Sequence, residues 1–208
     1  VNFTIHSFYA TSVTLLLFKR QQQEPYAQIP FPQQYKIGNT YSMIVFGLDI
    51  TEFEYAYSID GPYDKSKGII FNKDKYILDP YAKAVTGQSV RGEKLKGENC
   101  YKARVVDTSY DWSTFHNPYH KFEDLVIYEM HVRGFTKDSS SKVEFPGTFQ
   151  GIKEKIPYLI ELGVNAVELM PVFEFDELGG SREYEGEKLL DYWGYNTVCF
   201  FAPNTSYT

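Results

Sequence analysis

Between residues 124 and 172 the chain changes character, and this change limits its fold more than any other feature. Leu125 to Val132 is an apolar run of strand length. Beyond a loop through Ser139 to Gly147, the residues Phe149, Ile152, Ile156, Leu159 and Ile160 recur at helical spacing. Thr148 is placed to cap that helix and Gly163 to stop it. Pro157 falls inside the pattern and predicts a kink or break, because proline has no N–H to give the turn before it. Val164 to Val172 is a second apolar strand. Strand, helix and strand in this order make a βαβ unit. Such units build parallel sheets buried on both faces.

The sequence before it has a different pattern. Val1 to Phe8, Ser12 to Lys19, Thr40 to Leu48 and Glu54 to Ile59 are rich in β-branched and aromatic residues. Turn-forming clusters separate them at Gln22 to Pro25, Lys36 to Asn39 and Ile59 to Pro62. Short punctuated strands predict an immunoglobulin-like β-sandwich over residues 1–115, closed by Val105 and Val106. The stretch from Asp60 to Val106 is otherwise loop-rich, and Arg91 to Lys96, mixed in sign, is expected to be a solvated face. Asp111 to Glu123 carries Trp112, Pro118 and two histidines and is expected to link the sandwich to a second domain over 116–208. After Val172, residues 173–190 are mostly polar and are expected to form an extended loop, followed by Asp191 to Asn196 and Val198 to Pro203.

A net charge of -6 argues against a nucleic-acid partner, whose phosphates call for a basic surface. It also gives no attraction to anionic lipid heads. A neutral polysaccharide fits this balance. No run of about 18 apolar residues occurs, so no membrane span is expected. The 18 Tyr and 16 Phe serve mainly core and sheet packing, though aromatic rings also stack on sugars. The two cysteines, Cys100 and Cys199, form neither a disulfide framework nor a metal spacing. A reducing, cytoplasmic location is expected, with no metal and no cofactor.

Several segments carry a resemblance. Asp124 to Thr136 resembles the first barrel strand of the alpha-amylase superfamily, glycoside hydrolase family 13. Pro146 to Phe149 and Leu162 to Pro171 resemble that family's first helix and second strand. Phe173 to Leu178, Tyr192 to Val198 and Phe200 to Pro203 resemble the loop after the second strand. Upstream, Ile59 to Pro62, Gly68 with Phe71 and Asn72, and Leu78 to Lys83 are similar to the isoamylase and glycogen-debranching branch. Val1 to Phe3 and Ala10 to Leu15 look like the start of its N-terminal carbohydrate-binding module of family 48. The Glu174 to Leu178 stretch and the Trp193-Gly194-Tyr195-Asn196 core favour isoamylase over pullulanase, which usually has Asn where this chain has Tyr192, and branching enzymes lack the Asp60-Gly61-Pro62 and Asp79-Pro80-Tyr81 pair in this form.

The resemblance implies a sandwich followed by the first strand–helix–strand part of an incomplete (β/α)8 barrel. It implies a retaining hydrolase of α-1,6 branch links in glycogen or starch, with branched α-glucan as partner. The family's Asp nucleophile, Glu acid/base and stabilising Asp lie on later strands, so no catalytic residue is expected among these 208 and the chain alone is expected to be inactive. A retaining pair needs two carboxyl groups about 5–5.5 Å apart. Glu129 and Glu168 fall on neighbouring expected strands, but they are expected to fill polar layers, with Glu129, His131 and Arg133 on one strand face. The resemblance makes Tyr195 a sugar-stacking residue beside the scissile bond and Tyr192 structural, with Trp193 either a second substrate contact or a packing residue. Two strands cannot close a barrel, and exposed faces are expected to allow an oligomer. The alternative is a noncatalytic α-glucan-binding or adaptor protein.

Overall fold

A computed structural model describes residues 1–87, 90–93 and 101–208. Cys100 and the end of the Arg91 to Lys96 stretch lie outside the described residues. The described chain divides into two compact units. One holds residues 1–87 and 101–106, and the other holds 90–93 and 107–208.

The first unit is a β-sandwich. Its strands are β1 (Asn2–His6), β2 (Ser12–Lys19), β3 (Ala27–Pro30), β4 (Thr40–Ile44), β5 (Phe53–Asp60), β6 (Tyr63–Asp64), β7 (Ile69–Ile70), β8 (Tyr76–Ile77), β9 (Ala84–Thr86) and β10 (Lys102–Arg104). The larger sheet runs β3-β2-β5-β10-β9, with β8 also on β5, and β1 pairs with β4 in a second sheet. The β2–β5 ladder anchors the unit, running antiparallel from Ser12 opposite Asp60 to Lys19 opposite Phe53. Alternation along β5 turns Phe53, Tyr55, Tyr57 and Ile59 to one face, where the Phe3 ring of β1 meets Phe53 at 6.4 Å and Tyr55 at 5.1 Å. The opposite face is also covered, by Leu16, Phe18 and Ala56 with Tyr76 packed on them. Double burial explains why Leu15 to Phe18 is a continuous apolar run. Each such side chain contributes roughly 1.5–3 kcal/mol of burial. Val105 and Val106 do not close the sandwich. The closing strand is β10, and its pairing with β9 and β5 ends at Arg104.

The second unit opens with β11 (Ile127–Met130), then α1 (Val132–Thr136), α2 (Phe149–Glu154), α3 (Ile156–Glu161) and β12 (Ala166–Leu169). β11 and β12 pair in parallel, Ile127 opposite Ala166 through Met130 opposite Leu169. The expected crossover is therefore present. The Thr148 side chain accepts the Gly151 N–H at 3.2 Å and caps α2. The helix breaks at Lys155, so Pro157 sits in the first turn of α3, where its missing N–H costs nothing. Gly163 ends α3 with φ +87°, a left-handed conformation that glycine adopts without strain.

Two expectations about this unit are corrected. The first strand stops at Met130. The backbone then turns into α1, so Val132 and Arg133 are helical and the expected Glu129–His131–Arg133 strand face does not exist. Residues 173–190 are not an extended loop. They contain β13 (Phe173–Phe175) and a hairpin of β14 (Arg182–Tyr184) and β15 (Glu187–Leu189), while β13 pairs antiparallel with β16 (Thr197–Pro203). Val132, Phe175 and Tyr207 form the core beneath, with Phe149, Ile152 and Val172 against it. Among the described residues no helix is long and apolar enough to cross a membrane.

Candidate functional site

His131 follows the last residue of β11, at the C-terminal end of the parallel pair. Its ring has two assigned tasks. Nδ1 accepts the Gly134 N–H at 3.0 Å and caps α1. With Nδ1 an acceptor, the neutral ring carries its proton on Nε2, which donates to the Tyr192 carbonyl at 2.6 Å. Burial holds this imidazole below its ordinary pKa, and the positive charges of Arg91 and Arg133 add to the effect against the Tyr192 hydrogen bond. The Tyr207 hydroxyl lies 3.3 Å from Nε2, and burial pushes that phenol up to about 12. The Tyr192 ring stacks on the imidazole, with centroids 4.1 Å apart and planes 11° apart. Gly134 leaves room for this, because a Cβ there would collide with the Tyr192 hydroxyl.

Arg91 holds the same loop from another part of the sequence. Its Nη2 donates to the Asp191 carbonyl at 3.0 Å, and its guanidinium lies 5.8 Å from the Tyr192 ring centroid. Nη1 is 3.6 Å from Oε1 of the wholly buried Glu177. Glu177 also accepts the Gly92 N–H at 2.6 Å and the Ser206 hydroxyl at 2.8 Å, so the buried charge is both paired and hydrogen-bonded. Arg91 is thus no part of a solvated face. A sign-mixed run does not reveal which of its charges will find a buried partner far along the chain. Glu174, also fully buried, accepts the Thr205 N–H at 2.7 Å. Both glutamates tie β13 and the segment after it to the residues following β16, and their burial keeps them from a sugar.

The loop held this way displays the two substrate-contact candidates. Gly194 turns it with φ +80°, its N–H donating to the Asp191 carboxylate at 3.3 Å. A Cβ at Gly194 would press on the Phe175 ring at 3.1 Å, so tight packing adds to the conformational demand for glycine. On either side of it, Trp193 is 54% exposed and Tyr195 is 71% exposed. Trp193 packs edge-on against Tyr192 at 5.5 Å. The loop's outward face is therefore aromatic, and its inward face is hydrogen-bonded to fixed groups.

Glu129 and Glu168 stand opposite each other on β11 and β12, and both are exposed. Neither expected partner shares their face, since His131 is committed to Gly134 and Tyr192 and Arg133 belongs to α1. Among the described residues no three His, Cys, Asp or Glu side chains converge to hold a metal.

Residues 1–82 match the model of carbohydrate-binding module 48, the isoamylase N-terminal domain. The whole chain is 37% identical to "Isoamylase 1, chloroplastic" of Arabidopsis thaliana. It is 32% identical over its whole length to "Glycogen debranching enzyme" of Serratia proteamaculans. Over its whole length the chain is similar to isoamylases and glycogen-debranching enzymes. It spans 28% of the length of the Arabidopsis isoamylase and 32% of that of the Serratia enzyme. A likeness of fold extends to a solved catalytic module of the glycogen-degrading pneumococcal virulence factor SpuA. There the TM-score is 0.73 at 24% identity, covering 100% of this chain and 31% of that one. The module match ends at Ala82, while the loop of Trp193 and Tyr195 lies in the second unit.

Proposed function

We propose that this chain is part of a glycoside hydrolase that cleaves α-1,6 branch links in glycogen or starch by a retaining mechanism. The sandwich, whose last strand ends at Arg104, is its module, and 116–208 begin its (β/α)8 barrel. One observation carries the reading. Exposed Trp193 and Tyr195 flank Gly194 on a loop bonded to the C-terminal end of β11. Barrel enzymes place their sites at that end of their strands. The names of the whole-length relatives support the same substrate class.

In this reading the chain binds and orients. The Tyr195 ring stacks on a pyranose, desolvating an apolar sugar face and its own plane, and Trp193 bounds the next position. The carboxylate pair of the retaining reaction comes from residues outside these 208. Titration of the chain with maltohexaose tests the binding role. Tyr195→Ala should weaken binding roughly tenfold, the loss of about 1.4 kcal/mol of stacking. Incubation with amylopectin should release no reducing ends. Unchanged maltohexaose affinity in Tyr195→Ala would remove the assignment. Release of reducing ends by the pure chain would place the carboxylates within it.

A further inference from the structure

Two consecutive carbonyls of the aromatic loop are held by side chains remote in sequence. Asp191 O accepts from Arg91 and Tyr192 O accepts from His131. The ring between those carbonyls and the exposed pair, Tyr192, is stacked on one of these side chains and lies beside the other. Arg91 is itself oriented by Glu177, and His131 by the Gly134 N–H. Each holding group thus has a second attachment that fixes its direction. Fixing both carbonyls restricts the backbone from which Trp193 and Tyr195 project.

We propose that Arg91 and His131 are positioning residues, which set the Asp191–Asn196 loop so that Trp193 and Tyr195 meet a sugar without first being ordered. The proposal rests on the reading of those two aromatics as sugar contacts. Its physical content is preorganisation. A ring already held in its bound geometry loses little freedom on binding, whereas a mobile ring must be ordered at the expense of affinity. Lysine in place of Arg91 would keep the charge but lose the planar fork that serves Glu177 and Asp191 O together. Asparagine in place of His131 would keep an oxygen for the Gly134 N–H but is too short to serve Tyr192 O as well.

The chain has two tryptophans, so Trp112→Phe leaves Trp193 as its only tryptophan reporter. In that background Arg91→Lys, His131→Asn and His131→Ala are compared by Trp193 anisotropy, acrylamide quenching and maltohexaose titration. Thermal unfolding is followed in parallel. Positioning requires His131→Asn to recover much of the thermal midpoint lost in His131→Ala, through the restored cap. Its Trp193 should nonetheless remain more mobile, with quenching raised about twofold and maltohexaose bound roughly tenfold more weakly, as in Arg91→Lys. Parent-like anisotropy, quenching and affinity in His131→Asn would reduce His131 to a helix cap and overturn the proposal. A parent chain whose Trp193 signal ignores maltohexaose would instead overturn the sugar-contact reading. The anisotropy comparison would then still decide whether the two residues hold the loop.

Discussion

His131 is neutral because burial and two nearby guanidinium groups, Arg91 and Arg133, oppose a third positive charge. Tyr192 and Tyr207 are the other titratable groups against its ring. Protonation would place a proton on Nδ1, which must accept the Gly134 N–H, and would break the α1 cap. The sign of the pH effect follows. The folded pKa lies below the ordinary 6.5, so the unfolded chain binds this proton first on acidification. The contribution is complete above 6.5 and is lost as pH falls from there through the depressed folded value. The urea midpoint of the parent chain should therefore decline on going from pH 7.5 to 5.5, and His131→Asn should show a shallower decline. Equal slopes for the two chains would show that His131 is not the responsible group.

At the scale of elements, what was legible followed local chemistry. The Thr148 cap, the break before Pro157 and the Gly163 stop each depend on a few adjacent residues, and all three occur where the sequence places them. The apolar pattern of β2 and β5 was equally plain, since both faces of β2 are covered. What was missed depends on distant partners. Phe173–Phe175 is a strand because Thr197–Pro203 pairs with it, with shifts in register that leave no regular alternation to see. The resemblance singles out Trp193 and Tyr195, and both side chains are exposed. Arg91, by contrast, has no local mark of its attachment to Glu177, 86 positions later in the chain by numbering. The hairpin β14–β15 did leave a signal. Glu185 and Gly186 have φ of +50° and +80°, the two left-handed positions of a tight hairpin turn. The polar flanks Arg182, Glu183 and Lys188 disguised the strands. Asparagine is better suited than glutamate to the first of those positions, so Glu185→Asn should stabilise the chain by about 0.5 kcal/mol in urea unfolding. A loss of stability would mean that Glu185 makes a contact worth more than its backbone strain.

At the scale of the whole molecule, the two units differ in how completely they cover the central strands of their sheets. The sandwich buries both faces of β2, whereas Ile127, Val167 and Leu169 of the parallel pair and Ile156, Ile160 and Leu162 on or beside α3 are exposed. A two-stranded parallel sheet with uncovered faces gains less from burial than the β2–β5 ladder. Limited proteolysis should therefore cut first within residues 107–208 and leave the sandwich ladder intact, as read by mass spectrometry of early products. Equal resistance across both regions in a monomeric sample would show that the exposed residues do not weaken the unit.

The division of the chain between its units has a practical result. Residues 90–93 belong with 107–208, although residues 101–106 return to the sandwich in between. The polypeptide thus enters the second body, leaves it, and comes back. No single cut can yield both bodies whole. A piece starting at Asp107 would carry Glu177 without Arg91, stranding a carboxylate in the interior with its counter-ion on the discarded half. A piece ending at Gly87 would in turn lack β10, which joins β9 to β5. Cutting the chain at any one boundary should therefore leave at least one of the two pieces poorly folded.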